Sequence, residues 1–152
     1  VDQARRIFEV NILGSFLCAK HAIRRMAKRY GGVGGGIVNN SSAASKHEGP
    51  GTYIDYAASK GAIDTFTVGL AKEQAPEGIR VNCLRPGATM TELSVEWARQ
   101  NPEWLNGVME QVPLGRPGEV REIAAAALFL LSDEASYITG AILDASGGWV
   151  SP

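Results

Sequence analysis

Three short apolar runs, set between stretches of helical periodicity, constrain this chain more than any other feature. They are Gly36-Ile37-Val38-Asn39-Asn40-Ser41, Ile79-Arg80-Val81-Asn82-Cys83-Leu84 and Gly140-Ala141-Ile142-Leu143-Asp144. Before the first, residues 2–30 carry an apolar stripe at Ile7, Val10, Phe16, Leu17, Ile23 and Met26. That stripe ends in Arg24, Arg25, Lys28 and Arg29, which suit a solvated helix C-terminus. Residues 53–75 return to helical spacing until Pro76 and Gly78. Residues 91–111 read as one or two amphipathic pieces carrying Trp97 and Trp104, and 119–131 as a strongly apolar helix. Strands separated by helices of this length imply βαβ units and a parallel sheet. The expected class is α/β, a Rossmann-like doubly wound sheet with about three strands and flanking helices.

The 152 residues are one domain's worth, and 45% hydrophobic against 20% charged composition is enough to bury a core. Lys plus Arg is 15 and Asp plus Glu 16, a net charge of −1, which argues against a nucleic-acid or anionic-membrane partner. No apolar run reaches the ~18 residues that span a bilayer. Cys18 and Cys83 lack zinc-type spacing, and His21 and His47 lie far apart without carboxylate or cysteine neighbours, so no metal site is expected. The two cysteines read as reduced, mostly buried thiols of a cytoplasmic protein. Gly31 through Gly36 fits neither GxGxxG nor a P-loop and precedes a strand, so it reads as a turn.

Ligands of such sheets bind beyond the carboxyl ends of the strands. Those ends carry Ser41-Ser42, Pro86-Gly87-Ala88-Thr89-Met90-Thr91 and Ser146-Gly147-Gly148. The helix after the serines begins Tyr56-Ala57-Ala58-Ser59-Lys60. Tyr56 and Lys60, at i and i+4, share one face. A free phenol ionises near pH 10, and an ammonium one turn away favours the phenolate. Tyr53 is the internal control, because its i+4 partner is Ala57. Ser42 precedes Tyr56 by 14 residues and can hydrogen-bond the same substrate oxygen. Asn11 sits in mid-helix, where asparagine needs a reason.

Asn11-Ile12-Leu13-Gly14, Gly36 through Ser42, Tyr56 through Lys60, Arg80 through Gly87 and Thr91 together resemble the short-chain dehydrogenase/reductases. Gly115-Arg116-Pro117-Gly118-Glu119, Phe129 through Asp133 and Tyr137-Ile138-Thr139-Gly140 extend the likeness from residue 2 to about 149. The resemblance implies an oxidoreductase interconverting a carbonyl and a secondary alcohol with NAD or NADP, the two not distinguished. By position Tyr56 would be the general acid/base, and Lys60 would lower its pKa and bind the nicotinamide ribose. Ser42 would hold the carbonyl oxygen, and Asn11 would anchor a water relaying protons to Lys60. Pro86, Gly87, Thr89 and Thr91 would position the nicotinamide.

The chain departs from the family pattern in three places. The Ser42-to-Tyr56 spacing is one residue longer than the commonest form, leaving Ser41 as a competitor, and Ser146 stands where Asp is usual. The family's Gly-rich loop and ribose-reading acidic residue have no counterpart; at about 30 residues per βαβ unit this amounts to roughly 90 residues. Residues 1–152 are therefore expected to be the C-terminal portion of a single domain, with a substrate lobe near 90–114. Leu93, Trp97, Trp104, Leu105 and Met109 are candidates for that lobe's pocket wall or for core and subunit contacts. Homodimers or homotetramers are implied through the helices at 2–30 and 53–75. A catalytically silent interaction module is the competing reading, and an epimerase or dehydratase a third, disfavoured by the Thr91 segment and the short lobe.

Overall fold

The computed structural model describes residues 1–150, apart from the Trp104 side chain. A helical arm of three pieces comes first: α1 (Asp2–Phe8), a π-helical turn (Glu9–Leu13) and α2 (Gly14–Met26). There follow β1 (Gly35–Asn40), the single-turn α3 (Ala44–His47), the long α4 (Ile54–Gln74) and β2 (Ile79–Pro86). A short strand β3 (Thr89–Met90) leads into α5 (Glu92–Gln100) and α6 (Pro102–Gln111). Last come β4 (Gly118–Glu119), α7 (Val120–Leu131) and β5 (Ile142–Ala145).

The main sheet is parallel throughout, in the order β1-β2-β5, with Ile37 opposite Val81 and Cys83 opposite Ile142. Parallel neighbours need crossovers, which α4 and α7 supply. Side chains alternate across a strand, so Ile79 and Val81 pack on Ala19 and Ile23 of α2 and Leu70 and Ala71 of α4. Arg80, between them, points the other way. Its guanidinium donates to the carbonyls of Leu130 (2.8 Å) and Ser132 (3.0 Å), acceptors that the end of α7 leaves unpaired. Both faces of β2 are thus covered, and the polar residues it carries, Arg80, Asn82 and Arg85, are each bonded within the fold. Asn82 is fully buried because its amide stands in for a missing strand partner: it donates to Ile138 O (2.9 Å) and accepts from Ala141 N (3.0 Å).

The α/β class and the doubly wound parallel arrangement agree with the sequence reading. Several local expectations need correction. The arm at 2–30 is not one helix, because the π turn interrupts it around Asn11. Cys18 is exposed rather than buried. Ala19, about 100° further round α2, takes the place in the core. The segment between the serines and α4 contains α3. Gly35 and Gly36 already belong to β1, so only Gly31 through Gly34 form the turn. A second two-stranded sheet, β3 with β4, joins Thr89 to Gly118 and Met90 to Glu119; strands of two residues have no period to read. Among the described residues no helix is long and apolar enough to cross a membrane, and no cluster of His, Cys, Asp or Glu suits a metal ion.

Candidate active site

Helix α4 holds Tyr56 and Lys60 in place because its apolar and small residues, among them Ala57, Ser59, Ile63, Thr67, Leu70 and Ala71, are buried. Lys60 is 9% exposed, and its Nζ donates to the carbonyl of Asn40, the last residue of β1, at 2.9 Å. The same Nζ lies 5.5 Å from the centroid of the Tyr56 ring. Burial lowers the Lys60 pKa, opposed by the neighbouring Cys83 and Asp64. Burial, with Asp64 beside it, pushes the Cys83 thiol up to about 11, so it stays protonated. Tyr53 is raised too, by burial and by its neighbour Tyr56, and stays a neutral hydroxyl.

The two serines have separate tasks. Ser41 is 2% exposed, and its hydroxyl donates to the carbonyl of Lys60 (3.0 Å), bracing β1 against α4. Ser42 lies beside Tyr56 in the cavities described below, its Oγ accepting from Ala44 N (3.1 Å) at the start of α3. Strand alternation separates them: one side chain goes under the helix and the next comes out. Asn11 reaches the pair from behind. Its Nδ2 donates to Ser59 Oγ (2.9 Å), and that hydroxyl donates to the carbonyl of Tyr56 (2.6 Å). The π turn containing Asn11 is held by Ser15, whose hydroxyl donates to Asn11 O (2.7 Å); such bulges often mark functional positions.

Two cavities meet at Ser42, Tyr56, Pro86 and Gly87. The larger, of about 640 Å³, runs between the strand ends and α7, with Val38, Leu84, Ile123 and Ala127 as apolar wall and Thr89 and Thr91 at its polar side. The smaller, of about 160 Å³, lies toward α3 and the C-terminal loop, against His47, Tyr53 and Trp149. Position 87 requires glycine, since a Cβ there would stand 2.7 Å from Ser146 Cα. Thr89 Oγ1 donates to Gly87 O (3.0 Å), and Thr91 caps α5 in a reciprocal pair with Ser94. The loop is pinned further by the β3–β4 pairing, with Arg116 bonded to both carboxylate oxygens of Glu122 behind it. Beneath β2, Arg85 is held by Asp64 at 2.7 Å and Asp144 at 3.4 Å.

All eight residues singled out in the sequence therefore gather at the carboxyl edge of the sheet. Tyr56, Ser42, Pro86, Gly87, Thr89 and Thr91 line the larger cavity, while Lys60 and Asn11 stand behind Tyr56. Sequence reasoning missed His47, Trp149 and the α7 wall. His47 had no ligand-like neighbour in sequence, and its partner Trp149 lies about a hundred residues away. Conversely, Leu93, Trp97, Leu105 and Met109 line neither cavity. Leu93 and Trp97 face solvent, and the Trp104 side chain lies outside the described residues.

The larger cavity suits a nicotinamide: a flat ring against an apolar wall, with hydroxyls at one edge for a carboxamide. The described residues include no Gly-rich loop of the phosphate-binding pattern. A family model described as enoyl-(acyl carrier protein) reductase matches residues 1–150. The uncharacterized oxidoreductase YgfF of Escherichia coli (strain K12) is 48% identical over 97% of this chain and 59% of its own length. Galactitol 2-dehydrogenase (L-tagatose-forming) of Cereibacter sphaeroides is 41% identical over 95% of this chain and 56% of its own. A solved gluconate 5-dehydrogenase from Burkholderia cenocepacia J2315, in complex with NADP and tartrate, superposes with a TM-score of 0.89 at 32% identity, over 97% of this chain and 56% of that one. The chain thus spans less than two thirds of the length of these relatives. With this fold, this site and these relatives, the chain belongs to the short-chain dehydrogenase/reductase family.

Proposed function

We propose that this chain carries the proton-handling and nicotinamide-facing part of an oxidoreductase that uses NAD or NADP to interconvert a small secondary alcohol and its carbonyl compound. The observation that carries the reading is the meeting of two cavities at Ser42 and Tyr56, with the Lys60 ammonium behind the phenol. The residues around the larger space would hold the nicotinamide and those around the smaller one the substrate, whose oxygen would lie against the Ser42 and Tyr56 hydroxyls. The nicotinamide, when bound, supplies or accepts the hydride at the carbon bearing that oxygen. Tyr56 gives its phenolic proton to the carbonyl oxygen in reduction and takes the hydroxyl proton in oxidation. Ser42 donates a hydrogen bond to the oxygen while its charge changes. Lys60 stabilises the phenolate left on Tyr56, and its remaining N–H groups suit the hydroxyls of a ribose. Asn11 fixes the Tyr56 turn through Ser59 and anchors the water that returns protons to Lys60. Thr89 and Thr91 orient the carboxamide.

Tyr56→Phe tests this directly. Turnover is expected to fall by about 10²–10⁴-fold, the usual worth of a general acid/base, while the affinity for NADH or NADPH changes little. Near-normal turnover in that variant would overturn the role of Tyr56, whereas no turnover by the unaltered protein would favour a silent interaction module. The outer faces of α2 and α4 support a further part of the reading, association of copies of this chain. There Phe16 and Phe66 stack with centroids 3.9 Å apart, and Leu13 and Leu17 lie exposed on α2 and the turn before it. Light scattering on the protein as its host makes it is expected to give a dimer or tetramer, and a monomeric mass would remove that proposal.

A further inference from the structure

The smaller cavity has walls that the proton chemistry does not use. Its far side is a ring stack: the centroids of His47 and Trp149 are 4.6 Å apart, with the planes 29° from parallel. Tyr53 meets His47 edge-on at 6.2 Å and 75°, and meets Tyr56 edge-on at 6.2 Å and 81°. Rings thus continue from the candidate acid/base to the end of the cavity. Two of them are fixed from outside. Trp149 Nε1 donates to Gln111 Oε1 of α6 (3.2 Å), tying the stack to the lobe. Tyr53 lies so close over Gly49 that a Cβ there would come within 2.4 Å of the ring, and Gly49 has φ +58°. No Asp, Glu, Lys or Arg is among the residues lining this cavity. Its side-chain polar groups besides the Trp149 indole are the hydroxyls of Ser42, Tyr53 and Tyr56 and the His47 imidazole.

We infer that this cavity holds the part of the substrate remote from the reacting carbon, and that it selects a small neutral polyhydroxylated molecule, a polyol or its keto form. The inference rests on the oxidoreductase reading above and adds the substrate class and the residues that set it. The C–H face of a polyol carries slight positive charge and stacks on the negative faces of the His47 and Trp149 rings. Its hydroxyls pair with those of Ser42, Tyr53 and Tyr56, which both donate and accept. A sugar acid would place a carboxylate in a cavity lined by no Lys or Arg to compensate its lost water. A simple alkanol would leave the polar groups of the wall unpaired. At about 160 Å³ the space is below the usual ~300–1,000 Å³ of sites for drug-sized ligands, so a long acyl chain does not fit it.

The test is steady-state oxidation of xylitol, sorbitol, gluconate and 2-butanol, with NAD or NADP, by the protein as its host makes it. Xylitol or sorbitol is expected to exceed gluconate in kcat/KM by about tenfold or more. Trp149→Ala and His47→Leu are each expected to lower kcat/KM for the polyol about tenfold more than for 2-butanol, chiefly through KM, since 2-butanol is too short to reach the stack. Trp149→Phe keeps a ring face and is expected to hold the polyol-to-butanol ratio within about threefold of the unaltered protein. Because 2-butanol reports on the same folded enzyme, a loss shared equally by both alcohols overturns the role of the stack. Gluconate used as well as the polyols overturns the substrate class. Turnover of 2-butanol without preference for polyols overturns this inference alone, whereas no reduction of NAD or NADP with any of the four overturns the oxidoreductase reading with it.

Discussion

Two regions flank Tyr56 and are built on opposite plans. On one side, β1, β2 and α4 tie down their buried polar groups, Gln74 Oε1 at the end of α4 excepted. Asn39 Nδ2 donates to Thr67 Oγ1 (2.9 Å), Ser41 to the backbone of Lys60, and Arg85 to Asp64. On the other side, α5 and α6 bury Ala98 and Val108 but leave Leu93 82% and Trp97 52% exposed. This lobe is held mainly at its ends, by the Thr91–Ser94 cap, the short β3–β4 pairing and the Gln111–Trp149 bond. The contrast fits the two tasks proposed above. Proton transfer needs donors and acceptors fixed to a fraction of an ångström, which a packed, hydrogen-bonded framework provides. Substrate choice needs a wall that can vary, and loops and thinly packed helices supply it.

Substitutions on the two sides should therefore differ by an order of magnitude, and the largest effect belongs to the framework. Arg85→Ala leaves Asp64 and Asp144 without their cation and is expected to cost about 3–5 kcal/mol in urea unfolding. A loss below 1 kcal/mol would mean that water reaches the carboxylates and that the framework is looser than its geometry suggests. A smaller effect is expected at the N-terminus of α7. The Glu122 carboxylate is held down to about 2 from the usual 4.5, first by Arg116 and then by the Glu119 N–H. The folded state favours the anion, so its contribution is whole above about pH 4.5 and disappears as the pH falls toward 2. The difference in Tm between the unaltered protein and Glu122→Gln should accordingly be larger at pH 6 than at pH 3; a difference independent of pH contradicts the ion pair. The smallest effect is expected in the lobe, where Trp97→Ser should change stability by no more than about 0.5 kcal/mol. A larger loss would show that Trp97 is covered in the assembled protein.

The framework was also the more legible region. Its strands were marked by apolar runs and its Tyr56–Lys60 face by simple i, i+4 spacing, both local geometry. The β2 run was visible through its apolar Ile79, Val81, Cys83 and Leu84, but the partners of Arg80, Asn82 and Arg85 between and beside them were not. The choice between Ser41 and Ser42 was not visible, since it depends on the phase in which β1 leaves the sheet. The lobe was less legible. Its large apolar residues left open a pocket wall or core and subunit contacts; Leu93 and Trp97 are exposed and line neither cavity, and the wall beside Tyr56 is made by His47, Tyr53 and Trp149. A sequence shows how apolar a side chain is, but not which neighbour covers it.

By itself the sequence determined the alternation of strands and helices, the parallel sheet, the loops at its carboxyl edge and the shared face of Tyr56 and Lys60. Those properties follow from period and short spacing, which bond geometry converts into structure without long-range information. Only the tertiary structure decided that Asn11 is bonded to Ser59, that Arg80 closes the end of α7, and that a ring from the α3 turn stacks on one from the last described loop. These pairs are 48, 50 and about a hundred residues apart along the chain. They meet because burying the two faces of one sheet brings their segments together, a condition on the whole fold that no local pattern contains.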